Sequence, residues 1–217
     1  MAATETRLLV LGAVRLFEPV NGYQIRRELM SWGVADWAHI HPGSIYSSLA
    51  TMTKQGHVVR REVEDGGRVV AVYTTTPSGR DELERLFATA MTTVELLNPL
   101  PVHTAMSMCS LFERETVATL LETRAARLAE HVADLRAHHD GATEGSSPPH
   151  VVHILELQLG VAELERTWVQ DLAAVVRRGG LSFRGEPATW QPADDDPGWQ
   201  MAADRDRYLA ILRDARR

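Results

Sequence analysis

What this 217-residue sequence lacks narrows its identity first. It has one cysteine, Cys109, so no disulfide can form within the chain, which fits a reducing compartment. It has no run of about 18 apolar residues, the length a membrane-spanning helix needs. Residues 1–7 mix acid and base without an apolar signal-peptide core, so a non-secreted, cytoplasmic chain with no membrane partner is expected. Catalytic signatures are missing too: no Gly-x-Ser-x-Gly, no phosphate-cradling glycine loop and no His-Glu-x-x-His occurs. Neither an enzyme nor a cofactor is expected, and no internal repeat is visible. What the chain does have is 44% hydrophobic residues, enough for one or two modest cores.

The net charge of −6 is unevenly placed. Residues 1–80 hold nine Lys/Arg and seven Asp/Glu, a balance of +2, whereas residues 81–217 hold fourteen and twenty-two, a balance of −8. A phosphate polyanion would attract the first part and repel the second. The asymmetry permits nucleic-acid binding without proving it.

Periodicity outlines the elements. Leu8, Leu9, Leu11 and Val14 share one face of a first helix, which Glu18-Pro19 ends. Asn21 stands where an N-cap would, and Ile25 and Leu29 mark the buried side of a second helix closed by Trp32-Gly33. After a connection containing Trp37, His41-Pro42-Gly43-Ser44 opens a third helix with proline near its first turn. Ile45, Leu49 and Met52 point inward, while Ser44, Ser47, Thr51 and Lys54 lie on the other face, with Tyr46 at its edge. Gly56 is the natural stop. Residues 58–64 and 68–75 are rich in β-branched side chains and flank Asp65-Gly66-Gly67, which predicts a β-hairpin whose glycines take positive φ. Three helices followed by a hairpin is the winged helix order.

Thr76 and Pro77 then read as N-cap and first residue of a long helix reaching about Asn98. Its stripe of Leu83, Leu86, Phe87, Ala90, Met91, Val94 and Leu97 is too long for a small winged domain to cover, so a partner surface is needed. Pro99-Leu100-Pro101 breaks the chain. Further helices are expected from about Arg114 to His138 and from about His150 to Arg178, joined by a polar turn and therefore antiparallel. The second carries Ile154, Leu157, Val161, Leu164, Trp168, Leu172 and Val175 on one stripe. Residues 186–198 read as an extended linker, and a last short helix is expected around Trp199, Tyr208, Ile211 and Leu212.

Three separated motifs occur in order: Asn21-Gly22-Tyr23-Gln24-Ile25, Pro42-Gly43-Ser44-Ile45-Tyr46-Ser47-Ser48-Leu49, and Tyr73-Thr74-Thr75-Thr76-Pro77-Ser78-Gly79-Arg80. Together they resemble the PadR family of bacterial regulators. Leu121-Glu122-Thr123-Arg124 and Glu163-Leu164-Glu165-Arg166-Thr167-Trp168-Val169 are similar to the helical domain that accompanies many members. The resemblance covers about residues 5–180, and the tail lies outside it. It implies a homodimer whose C-terminal helices intertwine and whose winged domains bind a palindromic operator in double-stranded DNA. Family members usually repress, often genes for detoxification, efflux or phenolic stress, and some bind a small aromatic effector in the dimer interface. The expected fold is mainly α: an N-terminal winged helix-turn-helix with a two-stranded β wing (1–80) and a long-helix dimerisation domain (81–180). A proline- and acid-rich linker with a short helix (181–217) follows, packed back on the dimer or mobile.

On this reading the third helix enters the DNA. Ser44, Ser47 and Thr51 are small and polar, so its backbone can approach base edges. Tyr46 offers a ring and a phenolic OH to a phosphate or a thymine methyl, and the resemblance ranks it first. Lys54, Arg60, Arg61 and Arg68 are candidates for phosphate contacts, with Arg68 placed beside the hairpin turn to reach the minor groove. Tyr23, at the start of the second helix, can touch the backbone. Plainer readings stay open: Tyr46 as a packing residue, Ser44 as a cap, and one of Arg60 and Arg61 as a solvated strand charge. The competing function is a helical protein-interaction module whose winged domain binds no DNA. It predicts that Tyr46, Lys54 and Arg68 are dispensable.

Other candidates weigh less. His138 and His139 end one long helix while His150 and His153 begin the next, a group zinc could use. Solvation at helix ends is the plainer reading, and no metal is assigned. His39 and His41 read as loop or capping residues. Cys109, among Met106, Met108, Leu111 and Phe112, reads as a buried, inert thiol rather than a redox sensor. Trp168 reads as core packing or, more sharply, as a stacking surface for an aromatic effector.

Overall fold

The computed structural model describes residues 2–196 and 198–214, and the chain divides into two compact units. Met1–Phe87 together with Trp190–Arg217 make the first, and Ala88–Thr189 make the second.

In the first unit, α1 (Ala2–Phe17) is the central element. Every residue from Leu8 to Val14 is buried, not only the expected face, so this helix is enclosed all round. Helix α2 (Gly22–Ser31) begins in a capping box: the Asn21 side chain accepts from the Gln24 N–H, and the Gln24 side chain accepts from the Asn21 N–H. The connection after it contains a single helical turn, α3 (Val34–Trp37). Helix α4 (Pro42–Lys54) has proline in its first turn and buries Ile45, Leu49 and Met52, as their spacing predicts.

Strands β2 (Val58–Asp65) and β3 (Arg68–Thr75) pair antiparallel from Val58↔Thr75 to Asp65↔Arg68. Gly66 and Gly67 form the two-residue turn at φ 59° and 78°, a conformation that glycine adopts without a Cβ clash. A third strand, β1 (Val20–Asn21), adds to the other edge of β3 and gives the order β1-β3-β2. Helix α5 (Pro77–Thr92) starts where Thr76 Oγ1 accepts from the Gly79 N–H at 3.0 Å. Its first turn lies so close to His57 that a Cβ on Gly79 would stand 1.9 Å from the His57 carbonyl oxygen. The expected C-terminal helix is α9 (Gly198–Asp214), and it packs on the winged unit.

The long helix expected to reach Asn98 stops at Thr92. Its last carbonyls are taken by arginines of α7 (Arg114–Gly141): Arg124 donates to Met91 O at 3.2 Å and to Thr93 O at 2.6 Å, and Arg127 to Thr92 O at 2.6 Å. The chain then turns through Leu97, at φ 64°, into α6 (Leu100–Met106). The apolar period runs on in the sequence, but these distant guanidinium groups end the helix. Helix α8 (Pro149–Arg177) returns antiparallel to α7. Arg177 at its end pairs with Glu122 and Glu115 near the start of α7, and Arg136 pairs with Glu163. Residues 181–186 fold onto the start of α7, where Arg114 holds Glu186 and the Leu181 carbonyl and stacks over Phe183.

Candidate nucleic-acid interface

The winged unit presents α4 as its outer helix. With Ile45, Leu49 and Met52 inside, the same helical period leaves Ser44, Ser47, Thr51 and Lys54 exposed. Thr51 Oγ1 donates to the Ser47 carbonyl at 2.9 Å, so its proton is committed and its free lone pairs face outward. Tyr46 is 44% exposed. Its ring lies against the start of α2, where a Cβ on Gly22 would approach it to 3.1 Å. One edge of the Tyr46 ring therefore rests on Gly22 while the rest stays open. Tyr23 sits beside this contact, 57% exposed, with the Arg26 guanidinium 5.2 Å above its ring. Ser44 is exposed, and α4 has no side-chain cap bond at its N-cap, His41.

On the wing, the register decides which charges share a face. Arg61, paired with Val72, and Arg68, paired with Asp65, lie on one side of the hairpin. Arg60, paired with Tyr73, lies on the other, where it holds Glu62 of its own strand at 3.0 Å. Lys54, Arg61 and Arg68 are exposed and make no ion pair among the described residues. The structure thus gathers Tyr23, Ser44, Tyr46, Ser47 and Thr51 on neighbouring elements, puts Arg68 at the wing turn, and ties Arg60 to a carboxylate.

Three further residues join this surface: His39 and His41, read from the sequence as loop or capping residues, and Arg7, which no sequence signal marked. A groove of about 680 Å³ runs along α4, lined by Ser44, Ser47 and Thr51 together with Arg7, His39 and His41. His39 takes φ 53° in the turn that leads into α4, and both histidines are exposed. Arg7 comes from α1 and is held by Gln55 at 2.6 Å, by Glu82 at 3.0 Å and by His57. The Arg85 guanidinium, with Arg7 adding to it, keeps the Glu82 carboxyl below the usual carboxylate range. Only packing could reveal Arg7, because it lies far from α4 in the chain.

The second unit holds Trp168, 44% exposed, at the rim of a cavity of about 490 Å³. Leu97, Val102, Met106 and Leu164 line it, with Asn98, His103 and Glu165 as polar members. Within the protomer Trp168 is thus half-exposed, and the buried face of α8 is Ala162, Val169, Ala173 and Val176. Among the described residues no three His, Cys, Asp or Glu side chains come together to hold a metal ion. His153 and His139 instead face Glu156. Cys109 is partly buried, and desolvation pushes its thiol pKa up. No described helix is long and apolar enough to cross a membrane.

Residues 10–85 match the Transcriptional regulator PadR-like family. No match is found among curated proteins. Solved structures similar to this chain include Bacillus subtilis PadR in complex with operator DNA, at 20% identity and a TM-score of 0.36, covering 78% of this chain and 98% of that one. The PadR-like regulator BC1756 from Bacillus cereus is 19% identical with a TM-score of 0.34, covering 80% and 99%. Bacillus subtilis PadR in complex with p-coumaric acid is 19% identical with a TM-score of 0.35, covering 80% and 99%. The helix-turn-helix, the wing and the opening of α5 all fall within the matched residues, so it is this part of the chain that is similar to the PadR-like family of transcriptional regulators.

Proposed function

We propose that this chain is a sequence-specific DNA-binding repressor that acts as a cytoplasmic homodimer on a palindromic operator. The observation that carries the reading is the outer face of α4, where Ser44, Ser47 and Thr51 are exposed beside a half-open Tyr46. Small polar groups let the helix backbone reach base edges in the major groove, and Tyr46 and Tyr23 flank that line of approach. Lys54, Arg61 and Arg68 supply phosphate contacts, with Arg60 contributing less because Glu62 already neutralises it. Residues 1–80 read the DNA, and residues 81–180 pair the two copies.

The dimer reading is supported by α8. Ile154, Leu157, Leu164 and Trp168 are 51%, 61%, 72% and 44% exposed, and with Val161 they alternate spacings of three and four. That is a heptad seam without a partner in one protomer, and a second copy related by a two-fold axis would cover it. Such a dimer would set its α4 helices about 34 Å apart, or a multiple of that distance.

The experiment is binding of the purified chain to a duplex carrying its own promoter, over a salt series, with Tyr46→Ala and Arg68→Ala alongside. Saturable sub-micromolar binding is expected, weakening steeply with salt and lost in Tyr46→Ala. Weak, sequence-indifferent binding unchanged by either substitution, followed by an empty genome-wide selection for bound fragments, would favour the protein-interaction module instead.

A second reading adds a small aromatic effector. It is favoured by the cavity beside Trp168, whose volume of about 490 Å³ and apolar walls suit such a ligand. Titration of simple phenolic acids against the DNA complex should release it in the parent chain but not in Trp168→Ala. Unchanged DNA affinity across the series would remove this reading.

A further inference from the structure

The C-terminal helix does more than cover the winged unit. Residues paired across the hairpin share a face, so Arg61, Val63, Asp65, Arg68, Val70 and Val72 lie together. Helix α9 lies on that face. Tyr208, Val63 and Val72 are buried together, and Val70, Ile211 and Leu212 pack around them. Polar bonds reach from this patch in two directions. Asn21 Nδ2 donates to Tyr208 Oη at 3.0 Å, and Gln24 Nε2 donates to Asp204 Oδ2 at 2.6 Å. These two amides are the capping box of α2, so each uses its oxygen on the cap and its NH₂ on α9. In the other direction Arg207 grips both oxygens of Asp65 at 2.9 Å while holding Asp204 at 2.8 Å. Gln24, Asp204, Arg207 and Asp65 form one continuous chain from the start of α2 to the wing turn.

Both ends of that chain belong to the candidate DNA surface. The capping box stands next to Tyr23 and to the Gly22–Tyr46 contact, and Asp65 is directly across from Arg68. We propose that α9 is a strut of the DNA-reading head, in which Asp204, Arg207 and Tyr208 are positioning residues that hold the wing at one angle to the helix pair. Arg207 also neutralises Asp65, whose charge would otherwise repel phosphates beside Arg68. A two-stranded ribbon is marginal on its own, and ordering it on DNA would lower affinity. The strut removes that penalty in advance. This inference rests on the DNA-reading function proposed above.

The test uses the full chain and a duplex selected by that chain from a random-sequence library. Arg207→Gln and Tyr208→Phe are compared, alone and combined with Arg68→Ala, with Tyr46→Ala as control. Tyr208→Phe keeps the ring in the core and removes only the hydroxyl, so the fold survives. Each substitution should weaken binding about five- to tenfold in the parent and less than about twofold in the Arg68→Ala background, because the strut acts through the wing. Hydrogen exchange over residues 58–75 should quicken in both. Parent-like binding by both variants, or equal losses in both backgrounds, would overturn the strut while leaving DNA reading intact. If the parent selects no duplex, or Tyr46→Ala binds as the parent does, the DNA-reading function itself fails and the strut with it.

Discussion

Replacing Arg124 by methionine should be among the most damaging single changes in the second unit. The Arg124 side chain is 1% exposed and faces Glu165, itself only 16% exposed, at 2.5 Å. It also satisfies the carbonyls of Met91 and Thr93. Methionine keeps much of the volume but leaves a buried carboxylate without its counter-charge and two carbonyls without a donor. Breaking a buried pair from one side costs about 3–5 kcal/mol. With a urea m-value of about 2–3 kcal/mol/M, the midpoint should fall by roughly 1–2.5 M. Far-UV circular dichroism in a urea series reads this directly, at fixed protein concentration so that any dimer contribution is held constant. The double variant Arg124→Met with Glu165→Met should recover part of the loss, since no unpaired charge then remains. A loss below about 1 kcal/mol for Arg124→Met, or a double variant as unstable as the summed singles, would refute the reasoning.

Gly79→Ala should destabilise by about 2–3 kcal/mol, because its Cβ would meet the His57 carbonyl oxygen at 1.9 Å. Thermal unfolding should show Tm lowered by roughly 10 °C, whereas helix propensity alone predicts the opposite sign. Leu164→Glu should yield a monomer of unchanged helicity in analytical ultracentrifugation, since this residue is 72% exposed within a protomer; a persistent dimer would remove α8 as the seam. Cys109 should alkylate more slowly than a free thiol at pH 8, because burial raises its pKa and shrinks the thiolate fraction. Urea should restore the ordinary rate, and a folded chain that already reacts at the free-thiol rate would contradict the burial.

The winged domain was readable from the sequence because each of its signals is local. Asn21 before Gly22, Pro42 in the first turn of α4 and paired glycines between β-branched runs each act within a few residues. The same locality puts Ser44, Ser47, Thr51 and Tyr46 on the outer side of α4, since Ile45, Leu49 and Met52 claim the inner one. The antiparallel pairing of α7 and α8 follows from two long periodic segments joined by a short polar turn.

Where partners are far apart in the chain, only the tertiary structure decides. The stripe ending at Leu97 continues the helical period, yet α5 stops at Thr92 because Arg124 and Arg127 take its final carbonyls. Trp168 belongs to an apolar stripe, but the face of α8 buried within the protomer is Ala162, Val169, Ala173 and Val176, and Trp168 stays half-exposed there. The tail is the clearest case. Its helix can be read from Tyr208, Ile211 and Leu212, but Asn21, Gln24 and Asp65, which it grips, lie more than a hundred residues earlier. Local propensity sets which segments are helices and strands, and side-chain complementarity between distant segments sets where each one docks.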